Sequence, residues 1–241
     1  MKLPILFIDD GGVMNDNSRR AAQWQCLVGE FFVPLLGGTQ EAWQAANRVV
    51  ADGLFEPESW RRRVEAAVDY EDFDRAYHWD WLDGMCKLVG VPTPMDEWLP
   101  LTHRATTYIC SRVHATFPGA VEALRRLKQQ GYQLHTASGE SSFSLEGSLA
   151  AMGVRDCFGA LYGPDLVNTL KERPDYYERV FAAADVTPGD AIVVDDIPSA
   201  LMQAAQLGAR TILVGKQPHP EVATITVESL AVVPEMLYRF V

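Results

Sequence analysis

Apolar residues fall along this chain in two rhythms. Residues 3–8 form a short, unbroken apolar run that ends in Asp9-Asp10-Gly11-Gly12. That is the pattern of a buried parallel strand delivering carboxylates to a solvent-facing tip, where glycines let the backbone turn sharply and approach a ligand. From Asn15 to about Pro118 no convincing strand follows, and apolar positions recur at helical spacing instead. Helices are expected over residues 18–32 and over 40–53, where Ala42, Trp43, Ala46, Val49 and Val50 share a face. Another starts at Pro57, suited to a first helical turn, and runs through Val64, Ala67 and Val68. A fourth covers 72–89 and is closed by Gly90 and Pro92.

After Pro118 the rhythm alternates. A helix over 120–130 carries Val121, Leu124 and Leu127 on one face and stops at Gly131. A strand over 132–136 leads into the small polar loop Thr136-Ala137-Ser138-Gly139-Glu140, and a helix through Leu145 and Leu149 ends near Gly153. A short strand is expected over 158–162, then a helix from Pro174 to about Ala184. The apolar strand Ala191-Ile192-Val193-Val194 again ends in two carboxylates, Asp195 and Asp196. A helix over 198–207 stops at Gly208, and a final strand covers 211–214. Strands alternating with helices mean βαβ units, hence an α/β fold with a Rossmann-like parallel sheet and helices on both faces. In such sheets ligands bind beyond the carboxyl ends of the strands, where Asp9, Thr136, Asp195 and Asp196 all fall. The expected domains are a core of residues 1–14 and 115–241 and a helical cap, residues 15–114, inserted after the first strand.

Composition narrows the partners. With 241 residues, 48% of them apolar, the chain can bury a sizeable core. A formal net charge of −11 argues against a nucleic-acid partner while leaving room for a small anionic substrate at a locally positive site. No apolar run approaches the length of a membrane span, so no membrane association is expected. Met1-Lys2-Leu3-Pro4 leads straight into the first strand, so no signal peptide is expected. The four cysteines, Cys26, Cys86, Cys110 and Cys157, have no metal-ligand spacing and read as reduced thiols, so a cytoplasmic protein is expected. Five of the six tryptophans lie between Trp43 and Trp98, the mark of a helical block with a core of its own.

Four elements in order, an acidic tip with glycines, a hydroxyl-bearing tip, a lysine shortly before a helix and a second acidic tip, resemble the haloacid dehalogenase-like hydrolase superfamily. The resemblance covers residues 3–14 and about 117–215; the helical block matches only in its position, where many members carry a cap. It implies that Asp9 is a nucleophile forming an acyl phosphate. It also implies that Thr136, with Ser138 as a second donor, holds a phosphate oxygen. Lys171, three residues before Pro174, would neutralise charge on the phosphoryl oxygens and on Asp9. Asp9, the Gly11 carbonyl, Asp195 and Asp196 would hold Mg²⁺. A phosphatase acting on a small phosphorylated metabolite is the activity so implied. His135, which precedes Thr136 on its strand, is expected to point away and pack in the core.

The resemblance breaks at Gly11. Family phosphatases carry there a second Asp, which protonates the leaving group and then activates water, worth roughly 10²–10⁴-fold. Asp10 has the wrong parity on the strand to replace it, and Asp16 and Glu140 are the carboxylates weighed as substitutes. The departure keeps three alternatives open: a 2-halo-acid dehalogenase, whose leaving halide needs no proton; a phosphonatase-like enzyme using Lys87, the single lysine of the insertion, as a Schiff base; and a non-catalytic phospholigand- or protein-binding module. Asn17, Arg19, Arg20 and Trp24, closest in sequence to Asp9 on the cap side, are the candidate substrate contacts.

Overall fold

The structure, a computed structural model, describes residues 3–237; the ends of the expected core, residues 1–2 and 238–241, lie outside them. The chain divides into two compact units, Met1–Asn17 with Ala115–Val241, and Ser18–His114.

The first unit is built on a parallel sheet. Its strands are β1 (Ile5–Ile8), β2 (Leu134–Ala137), β3 (Phe158–Tyr162), β4 (Ala191–Asp195), β5 (Arg210–Val214) and β6 (Ile225–Val227), in the order β3-β2-β1-β4-β5-β6. Strand β6 was not expected: it is three residues long with only Val227 buried, too short for periodicity to mark. Alternate residues of the central strands feed two cores, which is why they read as unbroken apolar runs. Leu6, Ile8, Leu134, Ile192 and Val194 pack on one side with Leu124, Leu127, Leu145 and Leu149 from the following helices. Ile5, Phe7, Ala191 and Val193 pack on the other with Tyr176, Tyr177, Val180, Phe181 and Leu201. His135 belongs to this interior as expected. Its Nδ1 accepts the Ala160 N–H at 2.9 Å, its ring stacks 5.5 Å from Phe7, and burial lowers its pKa.

Register positions the site. Ile8 is level with Thr136 on one side and Val194 on the other. The residues that follow, Asp9, Ala137 and Asp195, therefore leave the sheet side by side at its carboxyl edge.

The second unit is helical, with α1 (Asn17–Leu36), α2 (Gln40–Leu54), α3 (Pro57–Ala66), α4 (Tyr70–Val89) and α5 (Trp98–Cys110). Side-chain caps start three of them: Thr39 for α2, Glu56 for α3 and Asp69 for α4, while Gly90 closes α4 in the left-handed conformation that glycine favours. Helix α5 was not expected. Two of its buried residues are Thr102 and Thr106, whose polarity breaks the apolar rhythm. At the unit's centre Trp43 is fully buried, stacks on Phe32 at 4.8 Å and donates from Nε1 to the Gly37 carbonyl at 2.8 Å. Trp43→Ala removes that packing and leaves the carbonyl without its donor. Denaturant unfolding should show a loss of about 3–5 kcal/mol.

Candidate active site

The loop after β1 is organised by a carboxylate that faces away from the tip. Asp10 is fully buried; its Oδ1 accepts from Asn15 Nδ2 at 2.6 Å, and its carbonyl accepts the N–H groups of Met14 and Asn15. These bonds fold residues 10–15 back on themselves and leave Asp9 at the sheet edge. Gly12 completes the turn at φ 81°, and a Cβ there would lie 2.0 Å from Asp196 Oδ2. The glycine is required for its conformation and for the carboxylate packed against it.

Lys171 stands between two of the strand tips. Its Nζ is 3.0 Å from Asp9 Oδ1 and 2.7 Å from Asp195 Oδ2, and all three residues are buried. Burial pulls the lysine's pKa down, but the carboxylates of Asp9 and Asp195 outweigh it and hold the ammonium well above its ordinary value. Burial raises Asp9 against the pull of Lys171, with Asp195 adding to the rise. Asp195 is further fixed by Tyr177, whose hydroxyl donates to Oδ2 at 3.1 Å, and by the Ile197 N–H donating to Oδ1 at 2.9 Å. Tyr177 is the second residue of the helix Tyr176–Ala183. Sequence reasoning missed it, although an aromatic pair soon after a buried lysine was visible in Tyr176-Tyr177.

At the second tip the two expected hydroxyls part. Thr136 is completely buried within β2, and its hydroxyl donates to the Tyr162 carbonyl at 3.2 Å. It lies on the same side of the sheet as Ile8, away from the Asp9 side chain. Ser138, one residue past the end of β2, hydrogen-bonds to Asp9 instead. Tyr176 supports it by donating from its hydroxyl to the Ser138 carbonyl at 2.7 Å. Side-chain parity explains the shift: Thr136 aligns with Ile8 and shares its side of the sheet, whereas Ser138 has left the strand.

Asp9, Asp195 and Asp196 each place an oxygen within 4.8 Å of the others. Asp196 Oδ1 is buried without a hydrogen-bond partner, and burial, with the neighbouring Asp195, raises its pKa. An orphaned buried oxygen among three carboxylates is what a hard divalent cation such as Mg²⁺ would satisfy, so these residues fit one.

Gly11 carries no side chain, and its space is taken. A Cβ built on it would lie 2.7 Å from Asn17 Oδ1 and 2.9 Å from Asn17 Nδ2. The carboxamide of Asn17, at the start of α1, thus covers the position from which a second Asp would project. Arg20 and Trp24 lie in the helical unit, where the Trp24 ring is 6.4 Å from that of Trp81. Lys87 is solvent-exposed and paired with Asp83 at 2.7 Å, which raises its pKa. A Schiff-base lysine needs the opposite shift, so the phosphonatase-like reading loses its residue.

Residues 36–208 match the haloacid dehalogenase-like hydrolase family, and the chain belongs to it. The matched stretch contains Ser138, Lys171, Asp195 and Asp196. Among solved structures, the L-2-haloacid dehalogenase of Xanthobacter autotrophicus superposes with a TM-score of 0.62 at 15% identity, covering 99% of each chain. CbbY from Rhodobacter sphaeroides, in complex with phosphate, does so with a TM-score of 0.59 at 18% identity, covering 95% of this chain and 96% of that one. Both show the same fold. Among curated proteins, validoxylamine A 7'-phosphate phosphatase of Streptomyces hygroscopicus subsp. limoneus is 29% identical over 93 residues, 39% of this chain and 44% of that protein. The chain spans less than half the length of each of the curated relatives it matches.

Lys171→Met leaves two buried carboxylates without their cation and should cost about 3–5 kcal/mol in Mg²⁺-free buffer, measured by urea denaturation. Mg²⁺ should recover part of that loss.

Proposed function

We propose that this chain is a Mg²⁺-dependent hydrolase that removes a phosphoryl group from a small phosphorylated metabolite through Asp9. The observation that carries this reading is the buried Asp9–Lys171–Asp195 array with Ser138 against Asp9. A carboxylate beside a charged lysine and a hydroxyl is equipped to attack phosphorus and to bind the displaced negative charge. An oxygen of Asp9 forms a bond to phosphorus as the bond to the leaving oxygen breaks. Water then attacks the phosphorus of the acyl phosphate, releasing inorganic phosphate and restoring the Asp9 carboxylate. Lys171 neutralises the phosphoryl oxygens, and Ser138 orients Asp9 and donates to one of them. Asp9, Asp195 and Asp196, with the Gly11 carbonyl, would hold Mg²⁺, which supplies further neutralisation of that charge when bound.

Gly11 and Asn17 shape the leaving-group preference in this reading. With an amide where the acid would stand, the departing oxygen takes its proton from solvent, so rate should depend steeply on its acidity. Asn17 is the proposed substrate contact on the side of the core unit. A second reading, dehalogenation of a 2-halo acid, is favoured by the same Gly11. It makes no use of the Asp195–Asp196 pair, which is why it stands second.

A screen of phosphate esters with and without Mg²⁺ tests both. Phosphate release that requires Mg²⁺ and disappears in Asp9→Asn is expected. Across aryl phosphates, kcat/KM should fall sharply as the leaving group becomes more basic. Gly11→Asp combined with Asn17→Ala, which clears the space, should flatten that dependence and raise turnover on alkyl esters by about 10-fold or more. Chloride release from 2-chloropropionate, with no phosphate release from any ester, would replace the first reading by the second.

A further inference from the structure

The helical unit contains a second set of metal-type donors, separate from the three carboxylates of the core. Asp74 and His78 are four residues apart on α4 and therefore project from one face, a turn apart. Helix α5 adds His103. Its Nε2 lies 2.7 Å from Asp74 Oδ2, and His78 Nε2 lies 3.3 Å from Asp74 Oδ1. One donor atom from each residue is within 4.8 Å of the other two.

Asp74 and His78 are 8% and 6% exposed, whereas the His103 side chain is 34% exposed and forms the open edge. Burial alone would raise the Asp74 pKa, but hydrogen bonds from His103 and His78 outweigh it and hold the carboxyl well below its ordinary value. Tyr70 adds a third donor at 3.1 Å. The group is thus an ionised carboxylate flanked by two imidazoles, walled by the rings of Tyr77 and Trp81 at 5.3 and 6.0 Å from His78.

On the other side of the ring from Nε2, His78 Nδ1 is buried and has no hydrogen-bond partner. No acceptor or donor at Nδ1 fixes the tautomer, so the proton can move there and free the Nε2 lone pair that faces Asp74 and His103. Donor atoms around a tetrahedral Zn²⁺ sit about 3.3 Å apart, given bonds of about 2.0–2.1 Å. The two imidazoles stand on different oxygens of Asp74, His78 Nε2 3.3 Å from Oδ1 and His103 Nε2 2.7 Å from Oδ2, so a shared ion would be met by a small rotation of the carboxylate.

We propose that Asp74, His78 and His103 bind one divalent ion of the Zn²⁺ class, joining α4 to α5 and leaving a fourth position open to water. Two nitrogens and one oxygen select such an ion over Mg²⁺, which suits the all-oxygen set of Asp9, Asp195 and Asp196. The missing outer partner on His78 Nδ1 weakens the site by about 10–100-fold relative to a fully supported one, so low-micromolar rather than nanomolar affinity is expected.

The test uses the full chain in excess Mg²⁺, which occupies the core carboxylates. Co²⁺ titration followed by visible absorption, and Zn²⁺ titration by calorimetry, should each show one equivalent bound, the Co²⁺ form with the intense bands of tetrahedral coordination. His103→Gln, at the open edge, should remain folded and lose about tenfold or more in affinity. Asp195→Asn should bind as the unaltered chain does. Absence of binding at micromolar Zn²⁺, unchanged affinity in His103→Gln, or loss confined to Asp195→Asn would each overturn the proposal. None of these outcomes depends on hydrolase activity.

Discussion

The buried ammonium of Lys171 is the constraint on which the carboxyl edge of the sheet depends. It bridges Asp9 and Asp195, two like charges that the register of β1 and β4 forces side by side. Parallel pairing sets the tips level, and only a cation between them makes that arrangement tolerable inside the protein. Much of the surrounding chain keeps this cation in place. Tyr177 holds the far oxygen of the bridge, Tyr176 holds the Ser138 carbonyl, and both tyrosines are fully buried beneath the sheet.

The same constraint explains what could be read from the sequence. Apolar runs ending in carboxylates marked β1 and β4, because a central parallel strand is buried on both faces and its functional residue must come at its end. Lys171 was legible for a related reason: lysines are few here, and this one stands just before a helix start. The hydroxyls of Thr136 and Ser138 were harder to tell apart, because a strand-ending position is ambiguous by one or two residues, and shifting it changes which face of the sheet it occupies. The register of β1 against β2 removed that ambiguity, and no local pattern could have done so.

In the helical unit, the helices with apolar stripes and side-chain caps were visible, and α5 was not. A buried threonine can satisfy its hydroxyl locally, as Thr102 does on the Leu99 carbonyl at 2.9 Å, so a polar letter conceals an inward face. Asp74, His78 and His103 went unnoticed for a different reason. An Asp and a His four apart on a helix are commonplace, and only the packing of α5 on α4 brings the third residue to them.

Gly11 was visible as a departure, but its meaning changes once Asn17 is placed. Position 11 carries no carboxylate, and the amide of the exposed Asn17 stands where a Cβ would project. Charge gives this a rationale. Asp9, Asp195 and Asp196 with Lys171 carry a formal charge of −2, the amount a single divalent cation cancels. A fourth carboxylate at position 11 would leave one negative charge over beside the buried pair Asp9 and Asp195, a repulsion that a proton or another cation would relieve. In the proposed function, the amide keeps this charge balance and donates no proton in the way a carboxylic acid would. Selection for a substrate whose leaving group departs as a stable anion would favour that exchange, and the identity of the leaving group is therefore where this chain's specificity should be sought.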